Sequence, residues 1–391
     1  MKPRLRFNYN ENYSYELFKD VFQIKNNNSF SREELKAFGN FKNIHYGDIH
    51  TKLNKITDVQ STELPYIDQN NEVKLTELCN DYDILIADAS EDYADIGKCI
   101  QLINVKNCVA GLHTILARPK YKSLYLTHLL SSWYVRKQFM KLACGAKVLG
   151  LSKSSLQKVV LPFPKIEEQT KIATFLNLYY KKIELQKKKI DLLHNMFKWV
   201  AKINLDINKE EMYIENLVEE FIEKSHSENQ YPVLSSTMNG VFLQNEYFTD
   251  NVITQSNIGY KIVPYNYFTY RSMSDTGKFV FNIQRLVDKG IVSPAYPVFN
   301  VNEKCLSDFL YYYLNYSKYI KKQLLLLKEG GTRYALGFEK FKKLKVVCLT
   351  LEEQQVIVKN LDLIKSKLEL EKQKLEAMEK YKHGLLQQLF I

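Results

Sequence analysis

The chain has 391 residues, of which 45% are hydrophobic, so it can form two domains of ordinary size with buried cores. Its formal net charge of +11 suits a polyanionic partner such as nucleic acid, although many proteins of other classes are equally basic. No apolar run reaches the roughly 20 residues that span a membrane, and residues 1–7 lack the apolar segment of a secretory signal. The six cysteines form no CxxC pair, as is typical of reduced thiols, so we expect a cytoplasmic protein.

The first part of the chain, residues 1–163, mixes short strand patterns with loops and some helix. Apolar runs predict strands at 83–87 and 113–117. Residues 123–142 are predicted to form one helix because apolar side chains recur there at steps of three and four. Residues 204–349 repeat this mixed pattern.

Two copies of one signature follow the mixed segments. Ile-Glu-Glu-Gln at 166–169 and Leu-Glu-Glu-Gln at 351–354 lie 185 residues apart, and each opens a long apolar pattern. The steps alternate between four and three, which is the period of a coiled coil. We therefore predict long helices over 164–203 and 350–391. The seam is the stripe of each helix that these steps place on one face. The predicted seam positions are Ile172, Leu176, Tyr179, Ile183, Gln186, Ile190 and Leu193 in the first helix, and Ile357, Leu361, Ile364, Leu368, Glu371, Leu375 and Met378 in the second.

The two helices are predicted to pair with each other in an antiparallel coiled coil. Such pairing would set 172 opposite 385 and would bring the polar residues Gln186 and Glu371 together, which would define the register. The alternative is that each helix docks separately on its own domain. The second helix start carries a capping box, Thr350 with Glu353, whereas the first has Lys165 at the equivalent place.

The repeat extends into the mixed segments. Asp-Ile-Gly-Lys at 95–98 corresponds to Asp-Thr-Gly-Lys at 275–278, and 126–130 corresponds to 306–310, both at an offset of 180. The chain is therefore predicted to be a tandem duplication of one mixed α/β (α+β) domain plus a helix. The predicted boundaries are 1–163 for the first domain, 164–203 for its helix, 204–349 for the second domain and 350–391 for its helix.

The order of these motifs resembles the specificity subunit of type I restriction–modification enzymes. The likeness rests on the Pro-x-x-Glu-Glu-Gln-x-x-Ile start at 164–172, the duplicated lysine-rich helix, and segments 2–7, 45–52, 231–237 and 385–390. The resemblance implies two target-recognition domains on an antiparallel helical spacer, each reading one half of a split double-stranded DNA sequence. It further implies that two methyltransferase subunits and ATP-dependent restriction (translocase/nuclease) subunits are partners, and that this chain needs no cofactor.

Catalytic chemistry finds little support in the sequence. It contains no GxxxxGK[ST] loop, no GxGxxG and no Asn-Pro-Pro or Asp-Pro-Pro motif. His45 and His50 are five residues apart with no third ligand nearby, so we predict no metal site. The Glu-x-Lys within 219–224 is predicted to be a solvated face of a charged helix.

Reading DNA requires phosphate contacts for position and base-edge contacts for sequence. Polar and aromatic residues with glycine in predicted loops are suited to both, although turn chemistry alone also explains such residues. The candidate DNA-binding residues are His45, Tyr46, Asp48, His50, Lys52 and Lys147 in the first half, and Ser235, Ser236, Thr237, Asn239, Arg271, Ser272, Thr332, Arg333 and Tyr334 in the second.

Two other function classes stay open at this point. A stand-alone DNA-binding regulator would bind its site tightly without a methyltransferase. A protein-only coiled-coil scaffold would show no salt-dependent affinity for DNA. The absence of a helix-turn-helix signal and the net charge of only +1 over residues 204–349 weaken the first alternative. The diverged domains beside helices that keep their register weaken the second.

Overall fold

The computed structural model describes residues 4–7, 12–247, 256–326 and 334–390. It divides into a first unit, Met1–Lys187 with Lys374–Ile391, and a second unit, Lys188–Gln373. Each unit therefore contains one half of both long helices. None of the described helices has the length and apolar character to cross a membrane.

The described helices are as follows in chain order: α1 (Phe18–Val21), α2 (Tyr46–Thr51), α3 (Tyr125–Leu130), α4 (Trp133–Leu142), α5 (Lys153–Leu156), α6 (Ile166–Leu205), α7 (Gln244–Tyr247), α8 (Ser307–Tyr316), α9 (Lys318–Leu326), α10 (Phe338–Lys342) and α11 (Leu351–Leu389). Three short 3-10 turns lie at Arg32–Glu34, Leu75–Glu77 and Ile214–Asn216. The observed α6 and α11 extend over nearly the same residues as the two periodic patterns.

The first unit is built on two sheets. Its strands are β1 (Ser14–Leu17), β2 (Phe22–Lys25), β3 (Leu35–Lys36), β4 (Lys42–Ile44), β5 (Ile56–Asp58), β6 (Tyr66–Ile67), β7 (Ile84–Ala87), β8 (Ala89–Ser90), β9 (Cys99–Ile103), β10 (Cys108–Ala110), β11 (Thr114–Pro119), β12 (Leu149–Gly150) and β13 (Val160–Phe163). One sheet has the order β2-β11-β7-β9-β5 and the other β10-β4-β6-β3, while β1 pairs with β13 and β8 with β12. The predicted strands at 83–87 and 113–117 are β7 and β11.

The second unit has one larger sheet and several two-stranded ribbons. Its strands are β14 (Glu211–Tyr213), β15 (Val218–Glu220), β16 (Leu234–Thr237), β17 (Gly240–Leu243), β18 (Lys261–Pro264), β19 (Phe268–Tyr270), β20 (Met273–Ser274), β21 (Phe281–Ile283), β22 (Lys289–Val292), β23 (Val298–Val301), β24 (Tyr334–Ala335) and β25 (Lys345–Val347). The sheet order is β15-β23-β19-β21, and the ribbons are β14-β25, β16-β17, β18-β22 and β20-β24.

The two units share one topology. The antiparallel series β2-β11-β7-β9 corresponds strand by strand to β15-β23-β19-β21. The ribbons β1-β13 and β8-β12 likewise correspond to β14-β25 and β20-β24. Gly97 and Gly277, which the sequence aligns, both have left-handed backbones, with φ of +69° and +75°. The predicted fold class, a tandem duplication of a mixed α/β domain plus helix, is confirmed.

The halves of the long helices pack antiparallel within each unit. In the first unit, Ile172 and Leu176 near the start of α6 share a core with Leu385 near the end of α11. The Tyr179 hydroxyl donates to the Met378 carbonyl at 3.1 Å, in the predicted register. The helices also dock on their domains, because this core includes Ile84 of β7.

In the second unit, α6 and α11 are also antiparallel. Lys189 pairs with Glu371 far along α11, whereas Lys209, beyond the end of α6, pairs with Glu353 at the start of α11. Apolar residues of both helices, including Phe197 and Leu361, join the core of the second domain. Gln186 and Glu371, the polar seam residues, are both buried.

The glutamine of the repeated signature forms the same hydrogen bond at the start of each long helix. Gln169 Nε2 donates to the Pro164 carbonyl at 2.9 Å, and Gln354 Nε2 donates to the Leu349 carbonyl at 3.0 Å. Each bond spans five residues, so the two copies use the same contact to hold the strand end against the first helical turn. Both glutamines are buried, and the signature is thus first of all a structural element.

The preceding glutamate binds a cation in each copy. Arg6 Nε donates to Glu168 Oε1 at 3.0 Å, and Lys209 pairs with Glu353. The capping box predicted at the second helix is confirmed, because the Thr350 amide donates to Glu353 Oε2 at 3.0 Å and the Glu353 amide to Thr350 Oγ1 at 3.3 Å.

Three local predictions were wrong. The single helix predicted over 123–142 is two helices, since Ser132 caps α4 by accepting from the Val135 amide and the chain turns between them. The segment 45–52, predicted to be a loop, forms α2. The charged segment 219–224, predicted to be helical, instead begins within β15, which includes Glu219 and Glu220 and packs Val218 into the core.

Candidate nucleic-acid interface

The first-domain candidates gather around the start of α2. Tyr46 lies at the centre, with its ring 4.5 Å from His45, 5.9 Å from His50 and 5.4 Å from His113. His113 was not among the predicted contacts, because it stands more than sixty residues from the others and only the fold brings it there. The predicted loop is thus a small, ordered aromatic cluster.

His45 is the N-cap of α2. Its Nδ1 accepts from the Gly47 amide at 3.2 Å and from Arg32 Nε at 3.4 Å. Burial, and after it the charge of Arg32, lowers the pKa of His45. The ring is therefore neutral at physiological pH, and its main role is to cap the N-terminus of α2.

Asp48 is buried and is held between two cations. Arg32 Nη2 lies 3.5 Å and Lys52 Nζ 3.6 Å from Asp48 Oδ1. Both cationic side chains are largely exposed, at 57% and 70%. Asp48 thus orients Arg32 and Lys52, which are the groups able to reach a phosphate. Arg32 was missed by the sequence reasoning, since nothing local to it indicated the contact.

Lys147 is exposed on the connection that leads into β12. Gly145 begins this turn with φ of +139°, and a Cβ there would lie 2.0 Å from the Val148 carbonyl oxygen, so only glycine fits. Strand β12 pairs with β8, and His50 Nε2 lies 3.2 Å from the Ala89 carbonyl of β8. The structure therefore links the Lys147 segment to α2.

Three second-domain candidates, Ser235, Ser236 and Thr237, lie in β16 of the β16-β17 hairpin instead of a loop. Ser236 is buried, donates to the Thr269 carbonyl at 3.2 Å and accepts from Asn282 Nδ2 at 2.9 Å. Thr237 Oγ1 accepts from the Asn239 amide at 3.1 Å. Ser236 and Thr237 thus shape the hairpin, while Ser235 is half-buried and Asn239 is exposed at its tip.

The other second-domain candidates meet at the β20-β24 ribbon. Arg271 is exposed just before β20, and the Ser272 carbonyl accepts from the Leu336 amide at 2.8 Å. Tyr334, in β24, lies against Gly277, where a Cβ would be 3.0 Å from its ring. Thr332 and Arg333 lie outside the described residues.

The described candidate surfaces carry hydrogen-bond donors and aromatic rings. In the described ranges no group of three or more His, Cys, Asp or Glu side chains is placed to hold a metal ion. The first domain offers a helix start with exposed cations, and the second offers a hairpin and a ribbon. These elements lie outside the four strands that the two units share.

Comparison with known proteins agrees with this architecture. Residues 10–195 and 214–380 match the family described as type I restriction modification DNA specificity domain. The chain belongs to this family. Both copies of the duplicated unit are covered by the match, so the resemblance found in the sequence is confirmed.

Individual relatives cover nearly the whole chain. A protein of Methanocaldococcus jannaschii that bears the name of the specificity subunit of the type I restriction enzyme MjaX is 23% identical over 96% of this chain and 92% of its own length. The crystal structure of the type I restriction–modification S subunit from M. genitalium covers 100% of this chain and 99% of its own, with a TM-score of 0.58 and 14% identity. A chain from a structural study of type I system assembly and conformational transition covers 97% of each, with a TM-score of 0.55 and 12% identity. At these identities the two structures show a shared fold.

Proposed function

We propose that this specificity subunit reads a bipartite double-stranded DNA target, one half with each domain, and docks two methyltransferase subunits and the restriction subunits without catalysing a reaction itself. The observation that carries the proposal is that one duplicated core bears two unlike surfaces. The proposed target-recognition domains are 1–163 and 204–349, on the helical segments 164–203 and 350–391.

The contrast between core and surface supports two different half-sites. A shared four-stranded sheet gives both domains the same scaffold. The proposed DNA-contacting surfaces then differ in kind, since the first domain presents Arg32 and Lys52 beside α2 while the second domain presents Asn239 and Arg271. Different side chains on an unchanged scaffold are what two different base sequences require.

Docking of methyltransferase subunits is supported by apolar residues that the helix pair leaves exposed. On α6 the exposed positions Leu178, Leu185, Leu192 and Trp199 recur every seven residues, and on α11 Val356, Leu363 and Leu370 do the same. This spacing places them on a face away from the seam, and an exposed heptad stripe is suited to a helix of another protein. We propose that each methyltransferase contributes such a helix.

The experiment that tests this function is methylome sequencing of a host that expresses the chain with its methyltransferase. A single bipartite motif is expected. Exchanging residues 12–163 for the same region of another specificity subunit should change one half of the motif and leave the other. Methylation of unsplit or unchanged motifs after the exchange would contradict the proposal.

The two alternatives give different outcomes. A stand-alone regulator would bind its site specifically as the purified chain, with unchanged affinity when methyltransferase is added. A protein-only scaffold would show no salt-dependent DNA affinity at all.

Arg271 tests the assignment of the second reader. Arg271→Ala should relax the second half-site, because an arginine fork distinguishes guanine from other bases by about 1–3 kcal/mol. Arg271→Lys serves as the matched control: a lysine can still bind a phosphate, whereas it cannot replace the two parallel hydrogen bonds of arginine to a base. Arg333→Ala tests the corresponding sequence-based assignment outside the described residues.

A further inference from the structure

A lysine-lined cavity lies in the second unit where α6, α8, α9 and α11 converge. Its volume is about 840 Å³. The lysines that line it come from three helices: Lys198, Lys202, Lys318, Lys321, Lys365 and Lys372. The carboxylates on its wall are those of Asp206 and Glu369, so the side chains around this one space carry an excess of four positive charges. Lys318 and Lys321 belong to the second domain, whereas the other four lie on α6 and α11, so the fold brings the charge together from separate parts of the chain.

Most of these ammonium groups have no internal counter-charge. Lys365 lies 4.9 Å from the Tyr311 ring, a cation–π contact. Asp206 caps α9, since its Oδ1 accepts from Ser317 Oγ and from the Lys318 amide, both at 2.8 Å. Across the described parts of the chain, the ammonium groups of Lys198, Lys202, Lys318, Lys321 and Lys372 form no ion pair. Like charges held close together destabilise a fold unless an anion binds among them.

The first unit has a cavity at the corresponding place. Its volume is about 670 Å³, and its lysines are Lys55, Lys98, Lys181, Lys187 and Lys382. The positions 180, 183, 184 and 187 that α6 contributes here correspond, at the repeat offset of 185, to 365, 368, 369 and 372 of α11 in the second cavity. Glu184 with Lys187 and Glu369 with Lys372 are therefore the same pair of residues in two copies.

A third cavity, in the second unit, also has a residue that corresponds to one in the first unit's cavity. It adjoins the second unit's cavity, with which it shares Lys321 and Lys372, and has a volume of about 870 Å³. Lys278 on its wall corresponds to Lys98 at the offset of 180. The tip of the β16-β17 hairpin, Asn239, lines the same cavity, so the lysines are continuous with a proposed DNA reader.

The two copies share the lysine at 187 and 372, but the first has Tyr180 where the second has Lys365, and Lys382 where the second has Phe197. They also differ at one carboxylate. Glu379 in the first cavity pairs with Lys187 at 3.0 Å and also with Lys382. Its counterpart at the offset of 185 is His194, which lines the second cavity. Lys372 therefore lacks the partner that neutralises Lys187, and the second unit has the stronger site for an anion.

We propose that the second unit's lysine cavity binds backbone phosphates of the DNA without reading its sequence. This role rests on the proposed DNA-binding function. Five of its lysines form no ion pair among the described residues, and the adjoining cavity reaches Asn239 of the hairpin, so the site suits an anion beside the proposed DNA contact. The phosphate backbone is the anionic part of DNA and is the same in every sequence. Lysine, a compact mobile charge, suits such contacts.

The test measures duplex binding by the complete chain in complex with its methyltransferase. Fluorescence anisotropy gives the Kd for cognate and non-cognate duplexes between about 50 and 300 mM salt. The cavity variant is Lys198→Gln/Lys321→Gln/Lys372→Gln. The matched control, Lys304→Gln/Lys359→Gln/Lys367→Gln, removes the same charge from exposed lysines of the second unit outside the cavity.

The cavity variant should bind both duplexes about 10- to 100-fold more weakly, because fewer phosphates are neutralised. The magnitude of the slope of log K against log salt should fall by up to about 0.9 for each phosphate contact that is lost. The ratio of cognate to non-cognate affinity and the methylated motif should stay unchanged. Lys198→Arg/Lys321→Arg/Lys372→Arg should restore binding, which separates an effect of charge from an effect of misfolding.

Equal binding by the cavity and control variants would overturn the proposal. So would displacement of DNA by millimolar ATP from the wild-type complex but not from the cavity variant, because the cavity would then hold a free nucleotide. A wild-type complex without cognate preference would refute the proposed function instead, and the comparison of the two lysine sets would still decide the phosphate contact.

Discussion

The buried glutamine of the Glu-Glu-Gln signature shows what a single side chain does at a helix start. Gln354 donates to the carbonyls of Lys304 and Leu349 and accepts from the Leu306 amide at 2.8 Å. It therefore joins the domain, the end of β25 and the first turn of α11. The repeated motif identifies the family, and its physical role is to hold the domain on the helix.

Gln354→Leu should destabilise the protein by about 2 kcal/mol, because buried backbone groups lose their partners. Urea unfolding followed by circular dichroism measures the change. Gln355→Leu is the matched control, since Gln355 is the exposed neighbour in the same turn. Equal stability of the two variants would show that these hydrogen bonds contribute nothing.

His45 predicts a pH dependence. Burial, and then Arg32, lowers its pKa below the ordinary 6.5, so between 6.5 and the lower folded value the unfolded chain binds more protons than the folded one. The free energy of unfolding should therefore fall as the pH drops below about 6.5. His45→Asn keeps an N-cap acceptor but removes the titration, so urea midpoints from pH 7.5 to 5.0 should fall less steeply than in the wild type. Parallel pH profiles would contradict this role.

At the scale of elements, the long helices carry two apolar stripes, one buried and one exposed. The seam packs α6 against α11 and the domains, and every predicted seam position is buried or half-buried. The second stripe is exposed, with Leu363 at 70% and Leu370 at 63%. One amphipathic face is enough for a helix pair, so the exposed stripe is available for the proposed methyltransferase helix.

Leu363→Glu/Leu370→Glu should weaken methyltransferase binding at least about tenfold, since each leucine buried at an interface contributes roughly 1.5–3 kcal/mol. Calorimetric titration measures the affinity. Gln355→Glu/Gln373→Glu adds the same charge at exposed positions outside the stripe and should bind normally. Weaker binding by both variants would point to a general effect of charge.

At the scale of the whole molecule, the helix pair is proposed to measure the distance between the two half-sites. Inserting one heptad in α6 between 183 and 190, with a matching heptad in α11 between 368 and 375, keeps the seam periodic. It lengthens the pair by about 10 Å, at 1.5 Å per residue. The gap in the methylated motif should grow by about three base pairs, at 3.4 Å per base pair, with both half-sites kept. Altered half-sites with an unchanged gap would show that the helices do not set the spacing.

The sequence alone determined the duplication, the two long helices, the fold class and the family. These features are periodic or local: a step of three and four repeated over some forty residues, or a capping pair three residues apart, can be recognised without knowing any distant contact. The helix break at Ser132 was missed because apolar periodicity continued across a local cap.

Only the tertiary structure decided which candidate residues are free to act. Ser236 and Asp48 are polar in sequence but buried by partners elsewhere in the chain. Arg32 and His113 lie against Asp48 and Tyr46 of α2, although both are distant from them in the sequence. The lysine cavity is likewise not recognisable in the sequence, because its lysines lie on three separate helices that only the fold brings together. Burial and electrostatic potential depend on contacts between distant residues, and the fold alone creates them.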